Sequence, residues 1–76
     1  MIYRGVIDRK GEPFAYLLGD VLYTLEDEPS GRVQGQFIVD KAGNPVWRIV
    51  GDGLYALNGM ETIGYLSVPR RLTIDD

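Results

Sequence analysis

The sequence predicts an all-β fold in which four β-hairpins form a pseudo-four-fold ring or shallow barrel with no substantial helix. Three observations lead there. First, the chain repeats itself at a spacing of 32 residues: Asp8/Asp40, Gly11/Gly43, Pro13/Pro45, Gly19/Gly51, Asp20/Asp52, Leu22/Leu54, Tyr23/Tyr55 and Leu25/Leu57 are identical. Second, the pattern persists at 16, with Gly19, Gly35 and Gly51 in one column and Val6, Leu22, Ile38 and Leu54 in an aliphatic one. Third, a second glycine column (Gly11, Gly43, Gly59, with Asp27 in the gap) falls half a period away. The chain therefore reverses about every eight residues, room for a short strand and a tight turn but not for a helix.

Taken in order, residues 2–7 read as the first strand. Asp8-Arg9-Lys10-Gly11 is a turn, because Asp accepts backbone hydrogen bonds at its start and Gly takes the left-handed conformation at its end. Pro13 suits the start of a returning strand, where its missing N–H is tolerated, and 14–18 completes the hairpin. Gly19-Asp20 bends the chain into 21–25, an acidic tip at 26–30 follows, and 31–34 returns. After Gly35 the theme restarts: 36–39 outward, Asp40 to Gly43 as turn, 45–50 back, and a second bend at Gly51-Asp52. Residues 54–57 lead to Asn58-Gly59, the strongest short hairpin signal, and 63–68 returns. The expected organisation is one domain of two 32-residue repeats (about 5–34 and 37–68), each of two hairpins, with 69–76 as a closing segment. A strand at 72–74 beside 2–6 would remove the exposed sheet edges.

Composition bounds function more by exclusion. The 76 residues make one small domain with a modest core. Cysteine and histidine are both absent, which removes thiolate chemistry and the commonest general base and metal ligand. A net charge of −3 argues against nucleic acid, which needs clustered Lys and Arg. No apolar run approaches the roughly 20 residues of a membrane span, and no basic, then apolar, leader is present. The expected location is the cytoplasm.

Repeated Asp-x-x-Gly-x-Pro turns (Asp8 to Pro13, Asp40 to Pro45), Gly-Asp corners (Gly19-Asp20, Gly51-Asp52) and Leu-Tyr pairs (Leu22-Tyr23, Leu54-Tyr55) resemble the four-fold β-flower family. The resemblance covers nearly the whole chain. It implies a small bacterial domain with hairpins set like petals about an axis, and a function that is uncharacterised. The β-flower shape in turn is similar to the Tubby C-terminal barrel, which binds phosphoinositides. No Tubby lipid-binding motif is matched, and its threading helix has no counterpart here, so no site residue is carried over.

Side-chain alternation assigns faces. With a three-residue loop in each Asp-x-x-Gly tip, even-numbered residues share a face holding Val6, Leu18, Leu22, Ile38, Val50, Leu54 and Leu66, with Gln34 as a polar exception. The odd face holds Ile7, Leu17, Tyr23, Val33, Phe37, Val39, Trp47, Ile49, Tyr55 and Tyr65. The unbroken aliphatic column puts the core on the even face, unless a bulge swaps parity locally.

Candidate functional residues follow from that division. An outward aromatic set of Trp47, Phe37, Tyr23, Tyr55 and Tyr65 suits a protein partner or a second copy, since a continuous exposed apolar face is otherwise a liability. Arg4, Arg70 and Arg71 form a weaker anion-site candidate. The regular aspartates Asp8, Asp20, Asp40 and Asp52 are explained by turn preference, and no oxygen-rich calcium loop occurs. With no histidine to activate Ser or Thr, and Lys10 and Lys41 in exposed tips, the expectation is no enzyme, no cofactor and no metal. The leading expectation is thus a non-enzymatic structural or interaction module. The alternatives are a small-ligand or anionic-lipid binding domain and, behind it, a carboxylate-dependent enzyme.

Overall fold

The computed structural model describes residues 2–71. Nine strands are present, with no helix among the described residues: β1 (Ile2–Asp8), β2 (Pro13–Leu18), β3 (Val21–Thr24), β4 (Pro29–Gln34), β5 (Phe37–Asp40), β6 (Pro45–Val50), β7 (Gly53–Ala56), β8 (Thr62–Leu66) and the short β9 (Arg70–Arg71). Each strand from β1 to β8 pairs antiparallel with the next, and β1 also pairs with β8. The result is a closed eight-stranded up-and-down barrel. Beyond β8, β9 extends the seam by pairing Arg71 with Ile2 and Arg70 with Tyr3. The expected closing strand at 72–74 lies outside the described residues.

Turn chemistry sets this topology. At the Gly19-Asp20, Gly35-Gln36 and Gly51-Asp52 corners the glycines have φ of 61°, 63° and 60°. Leu18 faces Val21, Gln34 faces Phe37 and Val50 faces Gly53 across them. These corners are two-residue hairpin loops with Gly at the first central position, so the bends expected between hairpins are themselves hairpins. At the opposite end, Asp8 Oδ1 accepts from the amides of Lys10 and Glu12, and Asp40 Oδ1 from those of Ala42 and Asn44. Thr24 Oγ1 does the same for Glu26 and Glu28. The left-handed residue of these tips is Gly11, Asp27, Gly43 and Gly59 in turn. The second tip is shorter than expected: β4 starts at Pro29, in the column of Pro13 and Pro45, rather than at Gly31.

One prediction needs correcting. Val39, on the outward parity of β5, is 3% exposed but outside the core cluster. Leu18 is only half-buried and Val50 is 59% exposed, although both were expected in the core; Leu17, expected outside, is 4% exposed. The cause is a β-bulge in every hairpin. Val6 faces Ala15 but Ile7 faces Pro13, so β2 carries Phe14 as an extra residue. Ser30, Val46 and Ile63 are skipped in the same way in β4, β6 and β8. An extra residue reverses the alternation of the rest of its strand. The even residues of β1, β3, β5 and β7 then share the interior with the odd residues of β2, β4 and β6. In β8 the longer fourth tip, where Ala56 N donates to Glu61 O rather than to a residue four positions on, restores even numbering.

The interior is consequently packed. Val6, Leu22, Ile38 and Leu54 form one layer, with Leu17 and Leu66 buried toward the corners and Val33 and Ile49 half-buried against them. Eight strands enclose just enough space for side chains to fill. Toward the tips the cross-strand partners of that layer are Ala15, Gly31, Trp47 and Gly64, one large residue among three small ones. Phe14 meets the Trp47 ring edge-on at 6.0 Å, closing that end.

Candidate functional site

With the interior filled, surface chemistry is left to the outer wall, and cross-strand register decides what stands there. In β6 the bulge turns Trp47 inward beside Ile38, so its neighbours Arg48 and Val50 are displayed at the surface. Phe37 faces Arg48, and Arg48 faces Tyr55 on the next strand. One step along, Val50 faces Gly53, which faces Tyr65. A Cβ on Gly53 would come within 2.8 Å of the Tyr55 ring, so that ring lies over the glycine and is half-buried. Phe37, Val50 and Tyr65 are 39%, 59% and 49% exposed. The outer wall of β5–β8 is thus an aromatic and aliphatic surface with a guanidinium in its midst, and Arg48, Val50, Tyr55 and Gly59 line a shallow depression of about 250 Å³ on it.

Of the five aromatic residues picked out by sequence, the barrel brings three together on this wall: Phe37, Tyr55 and Tyr65. Trp47 is not among them; it packs on the core and Phe14. Tyr23 stands on a separate wall, stacked on Tyr16 with ring centroids 5.2 Å apart and an interplanar angle of 14°. Tyr16 Oη donates to Asp27 Oδ1 at 2.6 Å. That hydrogen bond, reinforced by partial desolvation and the Asp27 charge, pushes the Tyr16 pKa up to about 12. Sequence reasoning missed Tyr16, Arg48 and Val50 as surface residues. The available signal was the proline column: counted from Pro13, Pro29 and Pro45, the bulge residue is the next one in each hairpin, and the alternation starts afresh after it.

Of the three arginines in the weak anion-site candidate, Arg4 has partners of its own. Arg4 Nη2 pairs with Asp52 Oδ1 at 2.6 Å, and Arg4 Nε donates to the Ser67 carbonyl at 2.8 Å. Arg70 and Arg71 are exposed on β9. The aspartates of the first and third tips spend an oxygen on turn amides, as turn preference requires. Among the described residues no helix is long and apolar enough to cross a membrane.

The chain matches no protein-family model, no curated protein and no solved structure at a significant level.

Proposed function

We propose that this protein is a non-enzymatic interaction module that docks through the outer wall of β5–β8, with a second copy of the chain as the occupant that wall fits. The observation that carries the reading is the cluster of Phe37, Val50, Tyr55 and Tyr65 around Arg48 on adjacent strands. Aromatic residues and arginine are the types most enriched at interface centres, whereas a continuous exposed set of them is costly in water. A surface holding both a cation and aromatic rings is self-complementary under a two-fold axis. Arg48 of one copy would then lie over a ring of the other, and the reverse contact would follow by symmetry. A different protein partner would use the same surface.

We also take the chain as β-flower-like and cytoplasmic. The barrel of repeated hairpins supports the first statement, and the second rests on composition. The small-ligand or anionic-lipid reading has weaker support, because the axis is filled with side chains and Arg4 is committed to Asp52 and Ser67.

Sedimentation velocity over a range of concentrations tests the docking reading. Wild type should shift toward a dimer as concentration rises, and Phe37→Lys with Tyr65→Lys should stay monomeric while keeping its β-sheet spectrum. Identical behaviour of wild type and this double variant, in sedimentation and in capture of partners, would remove the wall from the account.

A further inference from the structure

A second surface lies on the other side of the barrel, since β2 is four strands from β6 in either direction around the ring. There the outer wall of β1–β3 contains a groove of about 410 Å³ lined by Tyr3, Gly5, Pro13, Tyr16, Leu18 and Leu25. Its depth has a simple origin. Gly5 faces Tyr16 across the β1–β2 pair and has no side chain, so the flanking rings and leucines stand above a bare stretch of backbone. Gly5 has no positive φ, and a Cβ there would make only an ordinary contact with Ser67 Oγ at 3.5 Å. Backbone conformation therefore does not demand glycine at this point.

The groove ends at the β3–β4 tip, where Leu25 is 56% exposed and is followed by three consecutive exposed carboxylates: Glu26, Asp27 and Glu28. Asp27 is tied to the groove wall through Tyr16 Oη. Arg9 and Lys10 of the neighbouring tip line a separate polar depression with Asp8, Glu12 and Ile63 of β8. At the far end Tyr3 adjoins Arg70 of β9. The tip beside Leu25 is therefore the acidic end of the groove.

We propose that this groove binds a short peptide segment that places an aliphatic residue beside arginine or lysine. The aliphatic side chain fills the space over Gly5 between Tyr3, Tyr16 and Leu18, and the cationic residue extends past Leu25 to Glu26 and Glu28. Tyrosine rings suit the first contact because they offer a large, rigid, amphipathic surface. The second contact chooses among apolar partners by charge and depends on salt. This site uses residues distinct from the β5–β8 wall.

Fluorescence anisotropy with a short fluorescein-labelled peptide of paired leucines and paired arginines is the test. Wild type should give a saturable rise that weakens with added salt. Glu26→Lys with Glu28→Lys should weaken binding about tenfold or more, the expected size for reversing charges that face a cation. Leu25→Lys, a single change at an exposed turn residue, provides a second variant with the same expected direction. Tyr65→Lys should leave peptide binding intact, which keeps failure of this site distinguishable from failure of the docking wall. No binding, equal binding of a peptide with glutamates in place of the arginines, or unchanged affinity in both groove variants would overturn the proposal. So would binding of phosphatidylserine-containing vesicles in preference to the peptide.

Discussion

Arg4 and Asp52 meet at 2.6 Å across the seam of the barrel, one on the first strand and the other at the corner before β7. The same guanidinium reaches the Ser67 carbonyl, while Gly5 N donates to Ser67 Oγ and Ser67 N to Gly5 O. Four hydrogen bonds thus lock the place where the chain's two ends close the ring. Arg4 stands sixteen residues before Asp20, in the column of Gln36 and Asp52; the first member of a corner column has been recruited as a clasp.

Arg4→Met should therefore loosen the seam rather than abolish an anion site. Asp52 is 76% exposed, so the ion pair alone contributes less than about 1 kcal/mol. Loss of the partly buried bond to Ser67 O brings the total to about 1–2 kcal/mol. Chemical denaturation should show this decrease, and raised salt should remove only the ionic part.

Two kinds of glycine should respond differently to alanine. Gly11 and Gly43 have φ of 89° and 90° with open space around them, so Gly11→Ala should cost about 1 kcal/mol through conformation alone. Gly31 and Gly64 have ordinary φ, but a Cβ at either would collide with a backbone carbonyl, that of Val39 or of Ile7. Gly64→Ala must displace strand β1 and should cost about 3 kcal/mol or prevent folding. Equal denaturation midpoints for Gly11→Ala and Gly64→Ala would contradict the packing described.

Trp47→Ala should cost about 3–5 kcal/mol, as expected for removing a large ring from a packed interior. It should do so without altering surface docking, because Trp47 faces Phe14 and the core. Thermal melts and sedimentation of the same sample separate the two effects.

Among the described residues Asp27 is the one non-glycine with positive φ, 68°, at a tip position where the other three hairpins have glycine. Asp27→Gly should relieve about 1 kcal/mol of backbone strain and lose an exposed hydrogen bond, leaving stability nearly unchanged. The Tyr16 titration should change clearly. Its pKa is raised by donation to Asp27, so the stabilising contact is fully present below the ordinary value of 10.0 and is lost as pH climbs through about 12. Tyrosinate absorbance should show Tyr16 titrating late in wild type and moving back toward 10.0 in Asp27→Gly.

Much of this fold was legible in the sequence because turn residues carry it. The Gly-Asp corners and Asp-x-x-Gly tips fixed where the chain reverses, and the Val6, Leu22, Ile38 and Leu54 column lies in the interior as expected. The outer surface was not legible by the same reasoning. A bulge leaves no side-chain signature of its own: Phe14, Ser30, Val46 and Ile63 share no residue type, yet each reverses the alternation after it. The longer fourth tip then moved Leu66, rather than Tyr65, into the column of Leu17, Val33 and Ile49. Hence Trp47 was expected outside and Val50 inside. The sorting of aromatics between core and wall depends on register, for which the proline column is the one signal in the sequence, and the fourth hairpin lacks even that.

The central claim is that β5–β8 presents a docking wall, and concentration-dependent two-dimensional amide spectra address it most directly. With rising protein concentration, shift changes should gather on Phe37, Arg48, Val50, Tyr55 and Tyr65, leave β1–β3 unmoved, and vanish in the Phe37→Lys, Tyr65→Lys variant. Spectra that do not change with concentration, or changes centred on β1–β3, would contradict the account.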